Sequence, residues 1–174
     1  MSEPAYVAAR FTRMADAVTA EFSLLLDNHL QEVWRELTDS ERLPRWLAPG
    51  NIDLRVGGAA RLDFPESGGV IDSPVTAMES LRLLAYSWSS PGEPERPLRW
   101  DLEPIGPMTR LTLRLTVPRN EDAARAAAGW AAHLEMLWAA LIGTPIKFPY
   151  AAFKAAREAY TGQLARLPAE PAPV

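Results

Sequence analysis

The sequence predicts an α+β domain in which an antiparallel sheet grips one long helix near the C-terminus, with two short helices after the first strand. Three patterns carry the prediction. Apolar and polar residues alternate from Ala17 to Asp27 and again through most of Asn51 to Val117, the period of strands with one buried face. Turns rich in Gly and Pro cut the second stretch into about six consecutive strands, which favours an antiparallel meander. From Glu121 to Ile142 the apolar period changes to that of a helix.

Each element has its own local reason. In the first strand Val18, Ala20, Phe22, Leu24 and Leu26 point inward, while Thr19, Glu21 and Ser23 point out. Leu30, Val33, Trp34 and Leu37 fall at i, i+3, i+4 and i+7, so a short amphipathic helix follows, capped by Asp27 or Asn28. Thr38 and Glu41 have capping-box spacing, which predicts a second short helix through Leu47 that stops at Pro49-Gly50. Ile52, Leu54 and Val56 then face a Gly57-Gly58 turn in which both glycines can take positive φ, followed by Ala60, Leu62 and Phe64. After a turn at Pro65 to Gly69, Val70 to Ser80 is interrupted by Pro74 and reads as an edge or bulged strand. Leu81 to Ser89 is a stronger strand. A Pro-rich loop leads to Leu98, Trp100 and Leu102, whose alternation turns Asp101 and Glu103 outward. The clearest strand is Thr109 to Val117, with Leu111, Leu113, Leu115 and Val117 inward.

The long helix is opened by Asn120 as cap and closed by Gly143 with Pro145 beyond, and at 1.5 Å per residue it is about 33 Å long. Ala123, Trp130, Leu134, Leu137, Trp138 and Leu141 share its apolar face. Arg125, Ala128, Ala132, Glu135 and Ala139 lie opposite, and His133 sits at the margin. Tyr150 to Leu167 forms a further helix with Phe153, Ala156, Tyr160, Leu164 and Leu167 on one side, and a disordered tail is expected from Pro168.

Composition narrows the function. A chain of 174 residues and 48% hydrophobic content buries about 70% of its unfolded surface, enough for a core without staples. The chain has no cysteine and two histidines, so thiol chemistry, disulfides and a zinc cluster are excluded and no cofactor is implied. Net charge is −4 with the basic residues scattered, which argues against nucleic acid as a partner. No window approaches the ~18 apolar residues of a membrane span, and the expected location is cytoplasmic. No nucleophile elbow and no phosphate loop is present: Gly57-Gly58 and Gly68-Gly69 do not open helices.

Four stretches in the same order resemble a known family. They are Val33-Trp34-Arg35-Glu36-Leu37-Thr38-Asp39 with Trp46-Leu47, Asp53-Leu54-Arg55-Val56-Gly57-Gly58, Leu102-Glu103-Pro104 with Thr109-Arg110-Leu111-Thr112-Leu113, and Gly129-Trp130-Ala131-Ala132-His133-Leu134. Together they are similar to the SRPBCC (START-like) superfamily, and within it to bacterial proteins like activator of heat-shock protein 90 ATPase. The resemblance implies a helix-grip fold, a curved antiparallel sheet of about six to seven strands wrapped around the long C-terminal helix. Such folds often enclose an apolar cavity for a lipid-like, aromatic or polyketide-like ligand, and they serve binding, cyclase or aromatase, and chaperone-regulating roles. The similarity spans residues 17–143, leaving 1–16 as an N-terminal extension and 144–174 as a C-terminal helical extension with its tail.

If a cavity exists, strand residues and the sheet-facing side of the helix build its wall. The candidates for contact with a small hydrophobic or aromatic ligand are Trp46, Leu62, Tyr86, Trp88, Trp100, Trp130, His133, Leu134 and Leu137. Taken singly, each aromatic reads as core filling before ligand contact; as a group they favour a pocket. His133 reads first as a histidine hydrogen-bonded to the sheet, and second as a ligand contact or general acid/base. Asp72 joins the set because the Pro74 strand can bulge and turn it inward. A non-catalytic binding protein is the first functional expectation, with a polyketide cyclase or aromatase-like enzyme and a chaperone-regulating or stress-response module as alternatives. The aromatic side of the helix at 150–167 must bury itself, either on its own domain or in a homodimer.

Overall fold

The computed structural model describes residues 6–168. In chain order the elements are β1 (Arg10–Arg13), β2 (Ala17–Leu26), α1 (Leu30–Thr38), β3 (Gly50–Ile52), β4 (Ala59–Phe64), β5 (Gly69–Pro74), β6 (Ala77–Glu79), β7 (Leu83–Ser87), β8 (Pro97–Ile105), β9 (Met108–Pro118), α2 (Ala123–Leu141) and α3 (Tyr150–Ala165). Six strands form one antiparallel sheet in the order β1-β2-β9-β8-β7-β6, and β3-β4-β5 form a second, smaller one. Helix α2 fills the concave side, which is the helix-grip arrangement.

Alternation does the positioning. Across β2 and β9 the inward pairs are Val18 with Val117, Ala20 with Leu115 and Phe22 with Leu113. Across β8 and β9, Trp100 faces Leu113 and Leu102 faces Leu111. These side chains are buried together with Trp130, Leu134 and Leu137 of α2, and each large apolar group so buried contributes about 1.5–3 kcal/mol of transfer free energy.

Several local expectations change. A strand, β1, precedes the first predicted one; four residues are too short to show a period, but Arg10–Arg13 pair fully with β2. The stretch Val70 to Ser80 is two strands in two sheets. Pro74 ends β5, and Thr76 N–H then reaches the Ala85 carbonyl at 2.8 Å, so the chain passes between sheets. Ser73 Oγ, which donates to the Ser87 carbonyl at 2.7 Å and accepts from Ser87 N–H at 3.1 Å, stitches the sheets together at this crossing.

The second short helix shrinks to one 3-10 turn at Leu43–Arg45. Thr38 does not cap it, because its hydroxyl donates back to the Trp34 carbonyl at 2.8 Å; Asp39 accepts the Glu41 N–H instead. Helix α1 has neither expected cap: His29 occupies the N-cap position, and Asn28 instead donates to the Leu141 carbonyl at 3.0 Å. In the turn before β4 only Gly57 has positive φ, +86°; Gly58 is fixed by close approach, since a Cβ there would meet the Asp53 carbonyl oxygen at 2.5 Å.

Helix α2 is capped by Asp122, whose Oδ1 accepts from Arg125 N–H at 3.0 Å, in place of Asn120. Its two faces differ from the helical wheel. Ala128, Ala132 and Ala139, expected opposite the core, are buried, whereas Trp138 is 53% exposed. The reason is α3, which lies along the alanine face, where small side chains allow close helix approach. Ala156 and Tyr160 of α3 are buried in this contact and against the N-terminal segment, with Tyr160 stacked edge-on to Tyr6, Phe11 and Phe22. The heart of the aromatic stripe offered for a homodimer is thus used inside the chain. From Ala169 onward the predicted disordered tail lies outside the described residues. Among the described residues no helix is long and apolar enough to cross a membrane.

Candidate functional site

One cleft stands out, with a volume of about 850 Å³. It opens where the β4–β5 hairpin, the strand end at Trp88, the C-terminal end of β9 and the N-terminal half of α2 diverge, and Phe153 of α3 closes one side. The wall is aromatic. Trp88 and Trp130 have ring centroids 4.6 Å apart, Phe64 lies 5.7 Å from Trp88 and 6.3 Å from His133, and His133 lies 6.0 Å from Trp130. Behind Trp130 the stack continues into the core through Trp100, at 5.6 Å, and Trp46, a further 5.9 Å on. Edge-to-face contacts of this kind fix ring orientation, which makes the wall rigid.

His133 is placed by a chain of contacts that begins at a buried acid. Glu36 of α1 is held by Arg42 at 3.0 Å and Arg45 at 3.3 Å, and Arg45 also donates to the Ala140 carbonyl at 2.7 Å. Trp46 Nε1 donates to the Glu36 carbonyl at 2.7 Å. The 3-10 turn is thereby fastened to both α1 and α2, and it presents the Trp46 carbonyl to His133 Nδ1 at 3.0 Å. Burial pushes the imidazole pKa below the ordinary 6.5, only partly offset by that hydrogen bond, so the ring is neutral at physiological pH.

The rim is polar and internally paired. Arg96 grips Glu121 through two contacts, 2.7 and 3.1 Å, which hold the guanidinium pKa above its ordinary value, and it also donates to the Trp88 carbonyl at 3.2 Å. Asp122 caps α2 with one oxygen and meets Arg157 at 3.1 Å with the other. Arg125 lies exposed beside them on the cleft edge. Gly129 contributes bare backbone: a Cβ built there meets nothing within 4 Å. Among the described residues no three His, Asp or Glu side chains gather as a metal site.

Of the ten residues picked from sequence, Trp88, Trp130 and His133 line the cleft. Trp46, Leu62, Tyr86, Trp100, Leu134 and Leu137 are buried core residues outside its lining. Burial also pushes the Tyr86 phenol pKa far up, so it holds its proton. Asp72 is turned the other way from Ile71, toward Arg61 at 3.8 Å on the outer face of the small sheet; the strand keeps its alternation because it ends at Pro74 without bulging. His133 bonds to the turn at Trp46 rather than to the sheet. Phe64, Gly129, Phe153, Arg96 and Glu121 were not among the candidates. Gly129, a lone glycine amid alanines in a helix, was the one with a visible signal.

Solved structures share the fold. CalU16 from Micromonospora echinospora superimposes with a TM-score of 0.73 at 24% identity, covering 90% of this chain and 95% of that one. A conserved protein of unknown function, EF2215 from Enterococcus faecalis, gives 0.76 at 22% identity over 92% of each chain. The protein encoded by gene BPP1335 of Bordetella parapertussis gives 0.70 at 26% identity over 96% of each. No curated protein matches the sequence significantly. The family model described as Activator of Hsp90 ATPase homolog 1-like protein matches residues 28–141, well over half the chain and the span that holds α1, the 3-10 turn, β3 to β9 and α2, so the protein belongs to that family.

Proposed function

We propose that the cleft binds a small hydrophobic or aromatic molecule, contacted by Trp88, Trp130 and His133 with Phe64 and Phe153. The observation that carries this reading is the open volume of about 850 Å³ against a fixed aromatic wall, within the range of small-molecule sites. A cyclase-like reaction would need a proton donor and acceptor in the apolar part of the cleft. The carboxylates of the lining, Glu93, Glu121 and Asp122, stand at the rim and are engaged by Arg96 or Arg157. Binding without turnover is therefore the first reading.

Native mass spectrometry of the purified protein, followed by denaturing extraction, tests it together with titration of the dye anilinonaphthalene sulfonate. The expected result is a mass excess lost on denaturation, or saturable dye binding, that is abolished in Gly129→Leu, whose side chain enters the cleft. Trp88→Ala weakens the same binding. A protein that carries nothing and takes up no dye, or one in which Gly129→Leu binds as the parent does, refutes the reading.

A further inference from the structure

The hydrogen bonds around His133 leave one ring atom free. A carbonyl oxygen only accepts, so the 3.0 Å contact with Trp46 puts the proton on Nδ1. The neutral ring then carries its lone pair on Nε2. Among the described residues no protein group donates to that atom, yet it is not sealed in the interior: the one fully buried side-chain polar atom without a partner is Glu36 Oε2. Nε2 is therefore an accessible acceptor on a residue of the cleft lining.

Its surroundings restrict what fits. Rings of Phe64, Trp130 and Phe148 stand 6.3, 6.0 and 5.5 Å from the imidazole, and among the described residues no carboxylate forms an ion pair with it. Of the charged rim groups, Glu121 and Asp122 just precede α2 and Arg125 lies in its first turn, about two to three and a half turns before His133, and Arg96 is held to Glu121. A cationic ligand end would seek those carboxylates; a flat apolar ring would lie against the aromatics. The donor that reaches Nε2 must then be carried on that ring, in or near its plane.

We infer that the ligand is an aromatic molecule bearing a phenol-type hydroxyl, which donates its hydrogen bond to His133 Nε2. The inference rests on the binding role proposed above. His133 acts here as a specificity determinant, since Trp46 fixes its tautomer and ring orientation while its second nitrogen reads the ligand.

The test compares beta-naphthol with its methyl ether, two probes of nearly equal ring surface of which one lacks the donor, by equilibrium dialysis at neutral pH. A net hydrogen bond predicts that the naphthol binds roughly three- to tenfold more tightly. In His133→Asn the amide nitrogen can keep the bond to the Trp46 carbonyl while nothing remains at Nε2, and the preference falls to within about twofold. Equal affinities for the two probes in the parent overturn the inference and leave the binding role standing. A preference that survives in His133→Asn removes His133 as the acceptor. Failure of both probes to bind the parent refutes the binding role and the inference together. The parent comparison stands by itself should the variant not fold.

Discussion

Replacing Gly129 by alanine tests whether the cleft is open. A glycine inside a helix costs about 0.8–1.0 kcal/mol relative to alanine, chiefly in backbone entropy. That cost is recovered in full only if the added methyl meets no neighbour, and a Cβ on Gly129 has nothing within 4 Å. Gly129→Ala should therefore stabilise the protein by about 0.5–1 kcal/mol, which for a chain of this size raises Tm by roughly 1–4 °C. Gly162 of α3 is the control. It lies outside the cleft, and its Cβ would meet only the mobile end of Arg166 at 3.3 Å, so Gly162→Ala should gain a similar amount without touching ligand binding. Urea midpoints measured for both variants and the parent decide the matter. If Gly129→Ala lowers stability while Gly162→Ala raises it, the walls close onto Gly129 in solution and the open-cleft argument is wrong.

Three further outcomes follow from the contacts that hold the site. Glu36→Ala removes the anchor of Arg42 and Arg45, and because both arginines are about a third exposed and can rehydrate, the loss should be about 1–3 kcal/mol, below the range for a fully buried pair; an unchanged urea midpoint would contradict the buried ion pair. Tyr160→Phe keeps the ring stack but deletes the hydroxyl that donates to the Val7 carbonyl, so a loss of about 1 kcal/mol with an unchanged denaturant slope is expected, and no loss would show that α3 is not tied to the N-terminal segment there. His133 has its folded pKa depressed by burial. The unfolded chain therefore takes up the proton first, and the stability present above about pH 6.5 is lost as pH falls toward the folded value, by up to about 1.4 kcal/mol per pH unit. His133→Asn should lose less stability than the parent between about pH 7.5 and about pH 5.5; parallel losses would mean that His133 titrates normally.

What was legible in the sequence, and what was not, divides along the range of the interactions. Strand β9 was plain because eleven residues alternate without a break and the inward residues from Thr109 to Leu115 meet a partner on both sides. β1 was invisible because its pairing with β2 depends on residues that carry no pattern in four positions. The passage from β5 to β6 was read as one strand since extended backbone continues through it; only the tertiary hydrogen bond from Thr76 to Ala85 reveals a change of sheet. For α2, Trp130, Leu134 and Leu137 marked the core face, but Trp138, expected beside them, is exposed, and the alanines opposite were read as surface. Alanine says nothing by itself about which side is covered, and the covering helix comes later in the chain. The site divides in the same way. Trp88, Trp130 and His133 could be named from residue type and face, whereas Phe64 and Phe153 become wall residues only once a hairpin tip and α3 arrive beside α2.

That last arrangement bears on what sets the ligand. The family match ends at residue 141, just where α2 ends, yet one wall of the cleft and part of its rim come from beyond it. Phe153 closes the side of the cleft next to α2, and Arg157 engages Asp122, the residue that caps α2 at the rim. Phe148 also lies 5.5 Å from His133. The matched region thus supplies all but the first two strands of the grip, the tryptophan wall and the histidine, while α3 and the segment leading into it supply the surfaces that narrow the opening. Because α3 is itself held in the core through Ala156 and Tyr160, its position is set by packing and not by ligand. Substitutions at Phe153 should accordingly alter which aromatic shapes enter, with little effect on stability, whereas substitutions at Tyr160 should do the reverse.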